Sequence, residues 1–98
     1  MNHAIQDKSF RFAVRIVNLC RYLQTEQKEY VLTKQLLRCG TSIGANVAES
    51  QQAQSRPDFI SRLNIALKEA YETNYWLRLL HETQFLKPDE FQSIIHDC

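Results

Sequence analysis

Apolar residues recur along most of this chain at alternating steps of three and four, and no apolar–polar alternation is long enough for a strand. Phe12, Ile16, Leu19 and Leu23 form one row, with Phe10, Ala13, Val17 and Cys20 as a second. Together they predict a helix over 9–24 with a face wide enough for two neighbours. "TEQKEYVL" (25–32) reads as a connection pinned to the core by Tyr30 and Leu32. A second helix follows over 33–54, with Thr33 as its N-cap and Leu36, Leu37, Ile43 and Val47 as its apolar positions. "SRPD" (55–58) has the chemistry of a helix start: Ser55 to cap, Pro57 in the first turn, Asp58 at the positive end. The third helix carries the strongest period, Phe59, Leu63, Ala66, Ala70, Thr73, Leu77 and Leu80, widened by Ile60, Leu67 and Trp76. Asp58–Arg62 and Lys68–Glu72 are spaced for ion pairs within it. Pro88, Asp89 and Glu90 open a last helix of about ten residues whose face is Phe91, Ile94 and Ile95. The pattern predicts one all-α domain over 1–98, an antiparallel up-down-up-down four-helix bundle with a short last helix. A fourth helix this short implies that the chain stops early or that a neighbouring subunit covers the exposed part of the bundle.

Both glycines of the chain fall within "CGTSIGANVAES" (39–50). A phosphate loop is a poor match, because the lysine and spacing of that motif are missing. A loop splitting the second helix is one alternative, since each glycine costs about 1 kcal/mol against alanine in a helix. The other is close packing. Gly40, Gly44 and Ala48 continue the helical period on one stripe, flanked by Thr41 and Ala45. Ala66, Ala70 and Thr73 give the third helix a matching small stretch, so the expected tight crossing is with that helix or with a second subunit.

Charge adds one feature that the pattern does not. The net charge is only +1, yet residues 1–56 hold eight Lys/Arg against four Asp/Glu, and residues 57–98 four against seven. Lys8, Arg11, Arg15 and Tyr22 lie along one side of the first helix, joined by Arg21, Lys34 and Arg38. Such a stripe suits a polyanion, and a basic half also suits the acidic half of another copy. Ser42, Asn46 and Glu49 share one side of the second helix, with Glu69 and Glu72 on the third and Arg38 as the nearest cation. These predict a hydrogen-bond network fixing helix register or a subunit boundary, with a ligand site as the alternative. Cys20, Cys39 and Cys98 fit neither a disulfide framework nor a zinc spacing. No Glu-x-x-His pair and no nucleophile–base set is visible, so no enzyme, metal or cofactor is expected. The N-terminus lacks an apolar leader and no stretch is long enough to span a bilayer, so a cytoplasmic protein away from membranes is expected.

One stretch is distinctive. "LTKQLLRCGTSIGANVAESQQAQSRPDFISRLNIALKEAYETNYWLRLL" resembles the bacterial four-helix-bundle proteins encoded in intervening sequences of 23S ribosomal RNA genes. The matching residues are Gln35, Leu36, Arg38, Ser42, Ile43, Asn46, Ala48 and Glu49, then Ser55, Asp58 and Phe59, then Ala66, Glu69, Glu72, Thr73, Trp76 and Leu77. The resemblance implies antiparallel bundles assembled into rings of five. It also implies kinship with accessory proteins of reverse transcriptases in retroelements, where a basic barrel holds nucleic acid and the transcriptase. Two features depart from that pattern: Ser50 stands where a glycine is common, and the last helix stops at Cys98 where relatives run on. The expected function is therefore a non-enzymatic, ring-forming adaptor that binds RNA or DNA through a basic face and assists a reverse transcriptase. The alternative is a purely structural or protein–protein interaction oligomer of an rRNA insert.

Overall fold

A computed structural model describes residues 3–98 and shows four helices: α1 (Ala4–Glu26), α2 (Val31–Ser50), α3 (Arg56–Glu82) and α4 (Pro88–Asp97). No strand occurs among the described residues. The molecule is elongated, 44 × 22 × 20 Å, because its helices lie side by side. The core joins Phe12, Ile16, Cys20 and Leu23 of α1 to Leu36 of α2, Leu77 and Leu80 of α3, Leu86 of the last connection and Ile94 of α4.

Cross-helix partners run in opposite order along each neighbouring pair. Gly44 lies beside the backbone of Ser9, Gly40 beside Ile16, and Thr33 beside Cys20, so α1 and α2 are antiparallel. Glu49 pairs with Arg62 and Arg38 with Glu69 and Glu72, which sets α3 antiparallel to α2. α4 folds back on α3, with the Phe91 ring stacked on His81 at 4.3 Å and the Cys98 thiol donating to the Ala70 carbonyl.

The glycines thin the face of α2 that meets α1, not α3. A Cβ on Gly40 would come within 2.8 Å of Ile16 Cγ2, and one on Gly44 within 3.1 Å of the Ser9 carbonyl oxygen. Neither glycine has a positive φ and α2 is unbroken through both, which removes the loop reading. Ala48 is exposed and stands outside this contact. Ala66 and Thr73 are buried and Ala70 is half-buried, on the inner side of α3.

Several helix ends differ from the expected ones. α1 begins at Ala4, well before the predicted start, and α2 ends at Ser50 rather than near residue 54. Thr33 does not cap α2. It is fully buried inside the helix and its hydroxyl donates to the Glu29 carbonyl at 2.9 Å. The cap is the Glu29 carboxylate, which accepts from the backbone N–H groups of Val31, Leu32 and Thr33 at 3.2, 2.7 and 3.0 Å. The Glu29 N–H also bonds the Leu23 carbonyl, closing α1. One residue thus ends one helix and starts the next. Tyr30, expected to pin this connection, is 57% exposed, while Leu32 packs on the core. The α3 start matches its sequence signal: the Ser55 hydroxyl accepts from the Asp58 N–H at 3.2 Å.

α4 is ten residues long against 27 for α3. Beyond its end, the first half of α3 and the start of α1 have no fourth helix between them. Leu67 of the expected apolar face is therefore exposed, Phe59 and Ile60 are exposed too, and Leu77 and Leu80 are fully buried. An apolar cleft of about 320 Å³ opens there, floored by Ile43 and Val47 and walled by Ile5, Phe12 and Leu63, with Cys98 at its mouth.

Candidate nucleic-acid interface

The seven residues of the expected basic face do not form one continuous surface. Two of the cations are taken up inside the chain. Arg15 reaches across to α4, pairing with Asp97 and donating to the Ser93 carbonyl at 3.2 Å and its hydroxyl at 3.0 Å. Arg38 reaches across to α3, pairing with Glu69 at 3.3 Å and with Glu72. Both pairs join the basic first half of the sequence to its acidic second half. The uneven charge is thus partly an internal complementarity, and the two arginines mark where α4 and α3 sit.

Lys8, Arg11, Arg21 and Lys34 remain exposed, with no ion pair among the described residues. They fall into two pairs. Lys8 and Arg11 line a hollow with His96 and Asp97 beside the end of α4. Arg21 and Lys34 follow Cys20 and Thr33, whose thiol and carbonyl meet across α1 and α2 at 3.6 Å, so they share the opposite end of the molecule. The two ends are about 20 Å apart at 1.5 Å per residue. Arg21 also lies about 120° around α1 from Arg15, given 3.6 residues per turn, so it leaves the stripe. Tyr22 is exposed next to Arg21, at the second of these groups.

The polar network is smaller than expected and differently composed. Glu69 and Glu72 are in it, through Arg38, and the Trp76 indole N–H donates to Glu72 at 3.0 Å. Ser42 and Asn46 are not: the Asn46 amide donates to the Ser42 carbonyl of its own helix at 2.9 Å. Glu49 is exposed and pairs with Arg62 at 2.8 Å. The expected Lys68–Glu72 pair does not form, because Glu72 faces Arg38. The expected Asp58–Arg62 pair forms at 3.9 Å, while Glu29, Ser93, Trp76 and Asp97 carry polar contacts that pattern reading left unassigned. Ion pairs at the surface add little stability, so this network holds register more than it holds the fold.

The Cys20 and Cys39 thiols are buried and Cys98 is exposed, and none of the three is poised. Burial pushes Cys20 up to about 12 from 9.0, helped by neighbouring Cys39 and Glu29, and burial also raises Cys39 and Cys98. None has the lowered pKa that a nucleophile needs. Among the described residues no group of three His, Cys, Asp or Glu side chains is placed to hold a metal, and no helix is long and apolar enough to cross a membrane.

A family model described as 23S rRNA-intervening sequence protein matches residues 1–98. A solved protein of unknown function from the S23 ribosomal protein family of Bacteroides thetaiotaomicron is 60% identical, with a TM-score of 0.95 over 96% of this chain and 87% of that one. No curated protein matches the sequence.

Proposed function

Because the chain belongs to the 23S rRNA-intervening sequence protein family, we propose that it is a non-enzymatic helical adaptor, an up-down-up-down bundle that assembles into a ring of five. The ring binds nucleic acid in the cytoplasm and serves as accessory to a reverse transcriptase. The observation that carries the nucleic-acid part is the set of four exposed cations without partners, Lys8, Arg11, Arg21 and Lys34. Cations free of internal pairs neutralise phosphates and release counterions, which needs no reading of bases. Five copies multiply these contacts, turning weak attraction at one subunit into avidity.

The test is titration of labelled single- and double-stranded RNA and DNA at ~50 and ~200 mM salt. A site engaging four phosphates weakens roughly 50- to 150-fold across that interval. Lys8→Gln/Arg11→Gln lowers the salt slope. Absence of any binding at the lower salt sinks the reading. The second reading, a purely structural or protein-binding oligomer, is favoured by the exposed apolar side chains Phe10, Val14 and Leu37. It predicts a defined oligomer that ignores nucleic acid.

A further inference from the structure

The outer face of α3 carries side chains that neither the core nor the ion pairs use. Asn64, Lys68, Tyr71, Tyr75 and Arg78 follow at alternating steps of four and three, which places them on one strip. All five are exposed, the two phenol rings by 71% and 56%. None makes a hydrogen bond or ion pair among the described residues. Tyr75 is held from behind: its ring meets Trp76 edge-on at 5.1 Å and 77°, Trp76 donates to Glu72, and Glu72 pairs with Arg38 of α2. Glu82 bounds the strip at its far end.

We propose that this strip is a track for single-stranded nucleic acid. Tyr71 and Tyr75 offer faces about 6 Å apart along the helix for successive bases, and Lys68 and Arg78 flank them about 15 Å apart for phosphates. Aromatic rings between cations are the chemistry of single-strand binding, tolerant of sequence because every base has a face to stack. A single strand serves both kinds of group at once, its phosphates meeting the two cations and its bases covering the two rings. Duplexes are excluded from the rings because their bases already stack on each other. This goes beyond the phosphate contacts proposed above and rests on that nucleic-acid reading.

The experiment titrates the full chain with a ~15-nucleotide oligouridylate and with a duplex of equal length at ~50 mM salt. Anisotropy of labelled strands reports affinity, and emission of the single tryptophan, Trp76, reports contact beside Tyr75. The single strand binds more tightly and changes the emission. Tyr71→Leu/Tyr75→Leu weakens the single strand at least ~10-fold, as loss of about 1–3 kcal/mol per stacked base requires, and leaves the duplex unchanged. Tyr71→Phe/Tyr75→Phe retains binding. Circular dichroism confirms that helix content is kept, as expected for exposed positions. If the leucine variant binds as the parent does while Lys8→Gln/Arg11→Gln weakens binding, the track is overturned and the phosphate reading stands. If no oligonucleotide binds the parent, both fall. If the leucine variant keeps its oligomer but Tyr71→Asp/Tyr75→Asp breaks it, the face is a subunit contact and the track is overturned.

Discussion

At the scale of single residues, this chain uses glycine in an unusual place. Among the described residues the two left-handed ones are Lys28 and Gln84, at φ of 56° and 71°, just past the ends of α1 and α3. Glycine is the usual occupant there, and a side chain costs about 1 kcal/mol. Both glycines sit inside α2 instead. Gln84→Gly is therefore expected to raise stability by roughly 0.5–1 kcal/mol, read as a higher urea midpoint at unchanged slope. Gly40→Ala goes the other way. The new methyl meets Ile16, which is fully buried and stiff at its branched β-carbon, so overpacking of about 2 kcal/mol outweighs the ~1 kcal/mol that alanine gains in a helix. Adding Ile16→Val should recover part of that loss; no recovery would mean the strain lies elsewhere. The Cys20 thiol gives a pH signature. Its pKa is raised from 9.0 to about 12 in the folded chain, chiefly by burial. The unfolded chain therefore loses this proton first, and the contribution present below pH 9 fades as pH climbs toward 12. Cys20→Ala should show a shallower alkaline decline in urea midpoint than the parent. Identical decline would remove Cys20 from the account.

At the scale of elements, the helices were legible wherever an apolar row stays buried over several turns, as in α3 at Ala66, Thr73, Leu77 and Leu80. Reading failed where the partner decides. The stripe of Gly40 and Gly44 announced a close approach, but nothing in a run of small residues says which helix approaches. Periodicity likewise put Lys8, Arg11 and Arg15 on one side of α1, yet the position of Asp97 beside Arg15 depends on how α4 folds back. Ser42 and Asn46 bond within their own helix, an option that spacing alone does not separate from a network. The start of α2 is the clearest miss. Thr33 has the composition of a cap, and glutamate ranks low as one, so the capping role went unread. Glu29 acquires it because Lys28 turns left-handed and brings the carboxylate under three free N–H groups. Removal of that carboxylate by Glu29→Ala should cost about 1–2 kcal/mol and fray α2 first, seen as faster amide exchange at Val31, Leu32 and Thr33. Glu29→Gln keeps one acceptor and should cost less.

At the scale of the molecule, the question is what covers the apolar surface that four unequal helices leave outside. A small chain has a limited core, and exposed Phe10, Val14 and Leu37 are a liability unless a partner shields them. Phe10 is 69% exposed, and its backbone nitrogen lies 3.7 Å from where a Gly44 side chain would begin, so it stands at the edge of the close approach of α1 to α2. A second copy placed against this edge would bury an aromatic ring beside a rigid, closely packed pair of helices, which is the setting in which an anchor residue contributes most. Arg15 and Arg38, two of the cations that could have joined another copy, are already paired within one chain. If the subunits meet through this face, Phe10→Asp with Val14→Asp should convert the oligomer to a monomer by light scattering, with helical ellipticity intact. Oligomer mass should meanwhile be nearly insensitive to salt between ~50 and ~500 mM, since apolar burial is not screened. A large oligomer that survives both aspartates, or one that dissolves in salt alone, would assign assembly to another surface.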